Sequence, residues 1–478
     1  MAHDFIGLPN DGAGKKLHTH SHIHDGTEVH NQVMSLGYTD EVDDTLSALA
    51  RIDPEGALYV RNTEGSQLFD GFGKSKFSTE SYIGNYNHKD GLHPDTWFYY
   101  ASTNNADTKY EHLTDIGGVK LQTGSDLGDI AFMQTHLYHS YNAGTSNLFL
   151  GTFAVGDTGK DGVVRRWGLF DGDDGLFFEL NGTDLKFVVR SDATGSIVDT
   201  PFERTSWTDK LDGTGISKMT IDVSKDNIYW FDYQYLGAGR VRFGVFDEHG
   251  VRRVCGHIDH ANMLNHSYMS RGDLPYRVEQ LNTLQGVSVS QLNHFLGAVV
   301  TEGSTINLDV PAFFAHANTK TVGNNDGEVP VLSVRAKSTL DNGTKNTRIL
   351  VPWEITLANT TDAPAIIRVY WSMNPSIGGD MNDAGITWIN PSSASGFEVT
   401  TDGDGYVNPT GAGRLVMSGY VPANSVGTRD FTDRLTKMVG SLKLHASGIN
   451  TIFTMMMTME IVGSGTNDVF ASLNWKEY

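Results

Sequence analysis

Strict alternation of apolar and polar side chains restricts the fold of this chain more than any other feature. Leu185, Phe187 and Val189 alternate with Lys186 and Arg190, and Val241, Phe243 and Val245 alternate with Arg240 and Arg242. A period of two places every apolar group of an extended segment on one side, so each run is predicted to be a half-buried strand with one face in a core. Asn181-Gly182 stands between Leu176-Phe177-Phe178-Glu179-Leu180 and Leu185-Lys186-Phe187, the composition of a type I′ hairpin turn, whose two central residues both need positive φ. Asp247-Glu248-His249-Gly250 marks a second, looser turn. The 53 glycines, with abundant Asn, Asp, Ser and Thr, supply the turn positions that a chain of short strands needs.

At 478 residues the chain exceeds the roughly 250–300 residues at which single cores stop growing. Residues 1–38 lack sustained periodicity and read as an extended N-terminal arm. Residues 39–116 form an N-terminal region with one short helix, Thr39 to Ile52, carrying a Thr cap, acids in its first turn, and Val42, Leu46, Leu49 and Ile52 on one face before Pro54. Strand signals strengthen from Gly117, and residues 117–300 are expected to form a jelly-roll or lectin-like antiparallel β-sandwich. Residues 301–478 make a C-terminal β-sandwich domain. There Phe453, Met455, Met457, Met459 and Ile461 form one apolar face, best read as core packing, and Val469, Ala471, Leu473 and Trp475 form another, so the chain end is expected to close the last sheet. The fold class is mainly β.

Several functions are disfavoured. With 57 acidic against 36 basic residues and a net charge of −21, the chain lacks the clustered Lys and Arg that a nucleic-acid partner requires. Cys255 is the only cysteine, so stability does not depend on an intrachain disulfide. The start carries no secretory signal pattern, and no apolar run approaches the ~18 residues of a membrane span; synthesis and folding in cytosol are expected, without membrane insertion. Gly73-Lys74-Ser75 lacks the rest of a phosphate loop, Gly237-Ala238-Gly239 lacks the third glycine of a dinucleotide fingerprint, and neither a Gly-x-Ser-x-Gly elbow nor a His-Glu-x-x-His helix occurs. Asp171-Gly172-Asp173-Asp174-Gly175 reads as a tight acidic turn; as a calcium loop of the EF type it would need Glu where Gly182 stands. Cys255, with His257 and His260 nearby, reads as a small buried residue of a strand. No catalytic or cofactor-binding residue is assigned, and the chain is not expected to be an enzyme. Carboxylates paired from separate loops escape a reading of this kind, so glycoside hydrolysis stays open.

Leu17-His-Thr-His-Ser-His-Ile-His24 is the most specific local motif. In an extended chain His18, His20, His22 and His24 point the same way, and one chain alone chelates poorly. Three parallel copies around a threefold axis would give each His-x-His pair six nitrogens, an octahedral cage for a transition-metal ion such as iron or zinc. The four histidines are therefore the candidate metal ligands, and a homotrimer is the implied assembly.

The pattern resembles the His-x-His metal sites of trimeric phage tail-fibre tips and spikes. Three further stretches, Trp167–Thr183 (WGLFDGDDGLFFELNGT), Trp230–Gly244 (WFDYQYLGAGRVRFG) and Ser472–Tyr478 (SLNWKEY), resemble virion structural proteins of large tailed, T4-like bacteriophages of marine bacteria and cyanobacteria. That resemblance implies a place in the virion, assembled in the host cytoplasm among other virion proteins, in the tail, baseplate or fibre apparatus. Capsid-surface decoration or a head fibre is the alternative address. A glycan-binding receptor-recognition role, lodged in the Trp- and Tyr-rich middle domain, is the alternative function.

Overall fold

The computed structural model describes residues 5–6, 17–24, 27–33, 51–52, 58–59, 80–94, 96–303, 312–323, 326–337, 339–341, 346, 348, 350–360, 362–372, 387–401, 414–430, 454–463 and 466–477. Two units separate, Met1–Phe77 and Ser78–Tyr478. Among the described residues the ordered elements are strands, with one short 3-10 turn at Arg204–Ser206. The mainly β class expected from alternation is what the chain adopts.

In the first unit β1 (Phe5–Ile6), β2 (Leu17–His24) and β3 (Thr27–Val33) form an antiparallel sheet in that order, and β4 (Arg51–Ile52) pairs with β5 (Leu58–Tyr59). The histidine run is therefore the central strand of a small sheet, where a lone extended segment was expected. His24 pairs with Thr27, leaving between the strands Asp25-Gly26, a dipeptide of the kind that hairpin turns select. The expected helix from Thr39 lies outside the described residues except at Arg51 and Ile52, which are extended. Gly73-Lys74-Ser75 also lies outside them.

The first sandwich of the second unit contains β6 (Glu80–Asn87), β7 (Trp97–Ala101), β8 (Lys109–Leu113), β9 (Gly118–Thr123), β10 (Ile130–His139), β11 (Ser146–Ala154), β12 (Lys160–Phe170), β13 (Gly175–Gly182), β14 (Asp184–Ser191), β15 (Val198–Glu203), β16 (Asn227–Tyr233), β17 (Val241–Phe246), β18 (Arg252–Ile258), β19 (Leu274–Asn282) and β20 (Ser290–Glu302). A seven-stranded sheet runs β15-β14-β13-β12-β19-β10-β7; its partner runs β18-β17-β16-β11-β20-β9-β8, with β6 also on β20. Three strands upstream of residue 117, including the Trp97-Phe98-Tyr99-Tyr100 cluster, thus belong to sheets whose start was expected at 117. β6 and β7 pair with the later strands β20 and β10, while β8 pairs with the adjacent β9.

Leu185, Phe187, Val241, Phe243 and Val245 are all buried in one core, as is Cys255. Aromatic rings join the layers: Trp167 meets Tyr229 at 4.9 Å and Phe153 at 5.5 Å, and Phe187 stacks on Phe243 at 4.3 Å, arrangements that add specificity to burial. Tyr276 presses its ring onto the facing glycines Gly151 and Gly297, where an added Cβ would lie 2.4 and 2.5 Å from its hydroxyl; only glycine leaves that room. The β13–β14 hairpin departs by one residue from expectation. Asn181 pairs with Asp184, so Gly182 and Thr183 form the turn. Gly182 has φ of 59° and Thr183 no positive φ, which meets the type II′ requirement instead of the type I′ one.

The second sandwich contains β21 (Ala312–Gly323), β22 (Val329–Ala336), β23 (Leu350–Asn359), β24 (Ala365–Ser372), β25 (Phe397–Thr400), β26 (Arg414–Val421), β27 (Ser425–Asp430), β28 (Thr454–Ile461) and β29 (Thr466–Glu477). Its sheets run β21-β29-β23-β27 and β25-β22-β28-β24-β26. Met455, Met457, Met459 and Ile461 pack in one core with Val469, Ala471, Leu473 and Trp475. The methionine stripe is packing, and the C-terminal strand lies inside its sheet, between β21 and β23. Phe453 lies outside the described residues.

Candidate functional site

Two outward faces carry chemistry, and they differ in how much of it remains open to a ligand. On the seven-stranded sheet, residues alternate with the core set to form a row across the strands. Glu203 pairs with Lys186, Lys186 with Glu179, Glu179 with Arg166, Arg166 with Glu279, Glu279 with Phe132, and Phe132 with Tyr100. Opposite charges placed across adjacent strands attract, and here they form a continuous ladder. Arg166 Nε donates to Glu179 at 2.7 Å and Nη1 to Glu279 at 3.0 Å. Lys186 Nζ lies 3.3 Å from Glu179. Arg277 Nε donates to Glu279 at 3.0 Å and Nη1 to Gln134 at 2.9 Å, with its guanidinium 4.0 Å over the Phe132 ring.

That pairing decides what the carboxylates can do. Burial by itself raises the Glu279 carboxyl, but the Arg277 and Arg166 guanidiniums more than offset it and hold it below the ordinary range. Glu279 is ionised at neutral pH, the wrong state for a general acid, which needs a raised pKa. Arg166 also lies between Glu179 and Glu279, where a glycosidase pair would need open space for the sugar.

The acidic turn Asp171–Gly175 connects β12 to β13, as its composition predicts. Asp171 Oδ1 accepts from the amides of Asp173 at 2.8 Å and Asp174 at 3.0 Å. Its other oxygen accepts from Tyr138 at 2.9 Å and from Arg271. Asp174 accepts from the amide of Ser270 at 2.8 Å and from its hydroxyl. Burial raises the Asp174 carboxyl, against the opposing pull of Ser270, the Asp192 amide and Arg271. Both side chains are buried; with a guanidinium between them they form a closed structural knot. Burial likewise pushes the Cys255 thiol up, and His260 Nδ1 donates to the Gly239 carbonyl oxygen at 2.7 Å, so the Cys255, His257 and His260 grouping provides no reactive thiolate.

His18, His20, His22 and His24 occupy alternate positions of β2, opposite Val33, Asn31, Val29 and Thr27 of β3. The spacing expected of them is kept at the level of the backbone.

The second face, on the sheet β21-β29-β23-β27, was not singled out from sequence. Here small and polar outward residues border the exposed ring of Phe470, and a second exposed ring, Phe313, lies farther along the same face opposite Lys476. A shallow cavity of about 390 Å³ is lined by Ala317, Thr319, Thr356, Ala358, Phe470 and Ser472, among others. Register explains the grouping: Ser472 pairs with Ala317 and Thr356, and Phe470 with Thr319 and Ala358. Phe470 is 39% exposed while its neighbours Val469 and Ala471 are buried. The legible signal was an aromatic residue on the polar side of an otherwise regular alternation, Asp468-Val469-Phe470-Ala471-Ser472.

No protein-family model matches the chain, and no curated protein does. Among solved structures, a GH43 glycoside hydrolase engineered to display both endo-xylanase and exo-arabinofuranosidase activity is 13% identical, with 52% of this chain and 45% of that chain covered and a TM-score of 0.29. The chain thus spans less than half of that enzyme. The metal-free carbohydrate recognition domain of Emp46p is 11% identical over 47% of this chain and 99% of that one, with a TM-score of 0.30. A legume lectin-like domain from Entamoeba histolytica is 10% identical over 46% and 97%, with a TM-score of 0.27. No residue role carries over at this level of similarity.

Proposed function

We propose that this chain is a structural protein of a tailed-bacteriophage virion whose C-terminal sandwich binds glycan, without hydrolysing it, on the outward face around Phe470. The exposed Phe470 ring set among Thr319, Thr356 and Ser472 carries the glycan reading. A pyranose offers an apolar C–H face and a rim of hydroxyls, and it is met by an aromatic platform flanked by hydroxyl side chains. The middle sandwich, where sequence placed this role, offers less: its polar outward row is largely committed to ion pairs. Binding is favoured over hydrolysis because no carboxylate is among the residues lining the cavity around Phe470.

On a glycan array and on host-cell polysaccharide the full chain is expected to bind, and Phe470→Ala to abolish binding at an unchanged melting temperature. Binding indifferent to that substitution, or release of reducing sugar, would overturn the reading.

The virion assignment is supported by the three stretches that resemble phage structural proteins. Homotrimer formation is supported by the alternate placing of His18, His20, His22 and His24 on β2, which suits ligation of iron or zinc by several chains together. Native mass spectrometry with metal analysis is expected to give a metal-bearing trimer that dissociates when the four are changed to Ala. A trimer indifferent to those changes sinks the metal clamp.

A further inference from the structure

The outward face around Phe470 continues along two strands past the shallow cavity. β21 and β29 pair position by position from Ala312 opposite Glu477 to Gly323 opposite Thr466, without a bulge, so their outward side chains form two straight, adjacent files. Thr319 stands opposite Phe470, Ala317 opposite Ser472, Ala315 opposite Asn474 and Phe313 opposite Lys476. Ala315 and Ala317 are exposed and end at a methyl group, so the β21 file is low between its ends. Phe313, 57% exposed, closes the far end, its ring centroid 5.7 Å from Lys476 Nζ.

Six positions of β29 separate the Phe470 row from the Phe313 row, about 20 Å at the rise of an antiparallel strand. One pyranose covers one ring and ends inside the cavity, whereas a linear glycan on the order of four sugars long spans both. Between the rings Ser472 and Asn474 offer a hydroxyl and an amide to sugar hydroxyls, beside an alanine floor that accepts C–H faces. Charge narrows the ligand further. Asn474 Nδ2 donates to Glu354 at 3.0 Å, which sets a carboxylate beside the middle of the track, and Asp468, next but one before Phe470, accepts from Thr321 at 2.6 Å. A uronic or sialic acid laid between Phe470 and Asn474 would meet like charge from both sides. A neutral sugar meets none.

We propose that the glycan held at Phe470 is a linear, uncharged chain of about four sugars or more, running along β21 and β29 to a second platform at Phe313. This rests on the reading of Phe470 as a glycan platform and adds the length, direction and charge class of the ligand.

The full chain is titrated calorimetrically with neutral gluco-, manno-, galacto- and N-acetylglucosamine oligomers of two, four and six sugars, and with oligouronates of the same lengths. For a neutral series, affinity is expected to rise roughly tenfold or more between two and four sugars, the worth of a second aromatic platform, and to level off after that. Phe313→Ala and Ala315→Trp, both at exposed positions, should each bring the four-sugar affinity down to that of the two-sugar ligand without lowering the melting temperature. Phe470→Ala should remove binding at every length. Affinity independent of length, a four-sugar affinity untouched by both Phe313→Ala and Ala315→Trp, or preference for the oligouronates overturns the extended track, while a Phe470-dependent disaccharide signal leaves the platform standing. Binding of no oligomer, or binding indifferent to Phe470→Ala, removes platform and track together.

Discussion

Replacing Arg166 by methionine is expected to destabilise the first sandwich by about 1–3 kcal/mol, the cost of taking a charged hydrogen-bond donor from two buried carboxylates that keep Arg277 and Lys186 as their remaining cations. The side chain serves two carboxylates at once, Glu179 on β13 and Glu279 on β19, and both are largely sheltered from solvent. Methionine fills much of the same volume, so the loss reports charge more than packing. Adding Glu179→Gln alone, one negative charge removed for the one positive charge lost, should recover part of it, because the remaining carboxylate Glu279 keeps Arg277. Urea denaturation followed by near-ultraviolet dichroism measures both. A loss below about 1 kcal/mol, the range of an exposed pair, would mean that the ladder is solvated. The pH dependence has a definite sign. Glu279 has a folded pKa below its ordinary value of about 4.5, so its contribution is complete above that value and is lost as pH falls below it. Acid destabilisation in this window should be steeper in the native chain than in the Arg166→Met variant, where one of the two guanidiniums depressing that pKa is gone.

Trp475→Ala is expected to cost the second sandwich about 3–5 kcal/mol, the range for emptying a fully buried tryptophan site. Trp475 stands on β29 between β21 and β23, stacked 6.0 Å from Phe314, with no solvent exposure. Its Nε1 donates to Glu477 Oε1 at 3.0 Å. Glu477 is itself buried, and accepts from the Ser395 hydroxyl at 2.5 Å and the Gly396 amide at 2.9 Å. Truncation therefore opens a cavity and strips a donor from a buried carboxylate in one step. Trp475→Phe, which keeps a ring and loses the donor, should cost clearly less. Thermal unfolding of the two variants separates these contributions, and equal losses would show that the hydrogen bond outweighs the cavity.

Much of this architecture was written locally. Alternation at Leu185–Val189, Val241–Val245, Met455–Ile461 and Val469–Trp475 assigned both the strands and the buried face, because side-chain direction along a strand depends only on position parity. The acidic turn and the burial of Cys255 were legible for the same reason. The type of the β13–β14 turn was not, since a single residue of register changes which positions need positive φ.

The start of the first sandwich near residue 80, the ladder and the Phe470 face depend on partners that sequence does not bring together. β6 gains its place from β20, and Arg166 meets Glu279 across 113 residues of chain. Phe470 becomes a platform only when Thr319 and Ala358 arrive beside it from other strands. Sequence alone determined that this chain is built of strands and which side of many of them is apolar, because those properties follow from local chemistry. Tertiary structure decided which strands are neighbours, and with that which charges are neutralised and which rings stay open, because pairing brings together residues far apart in the chain.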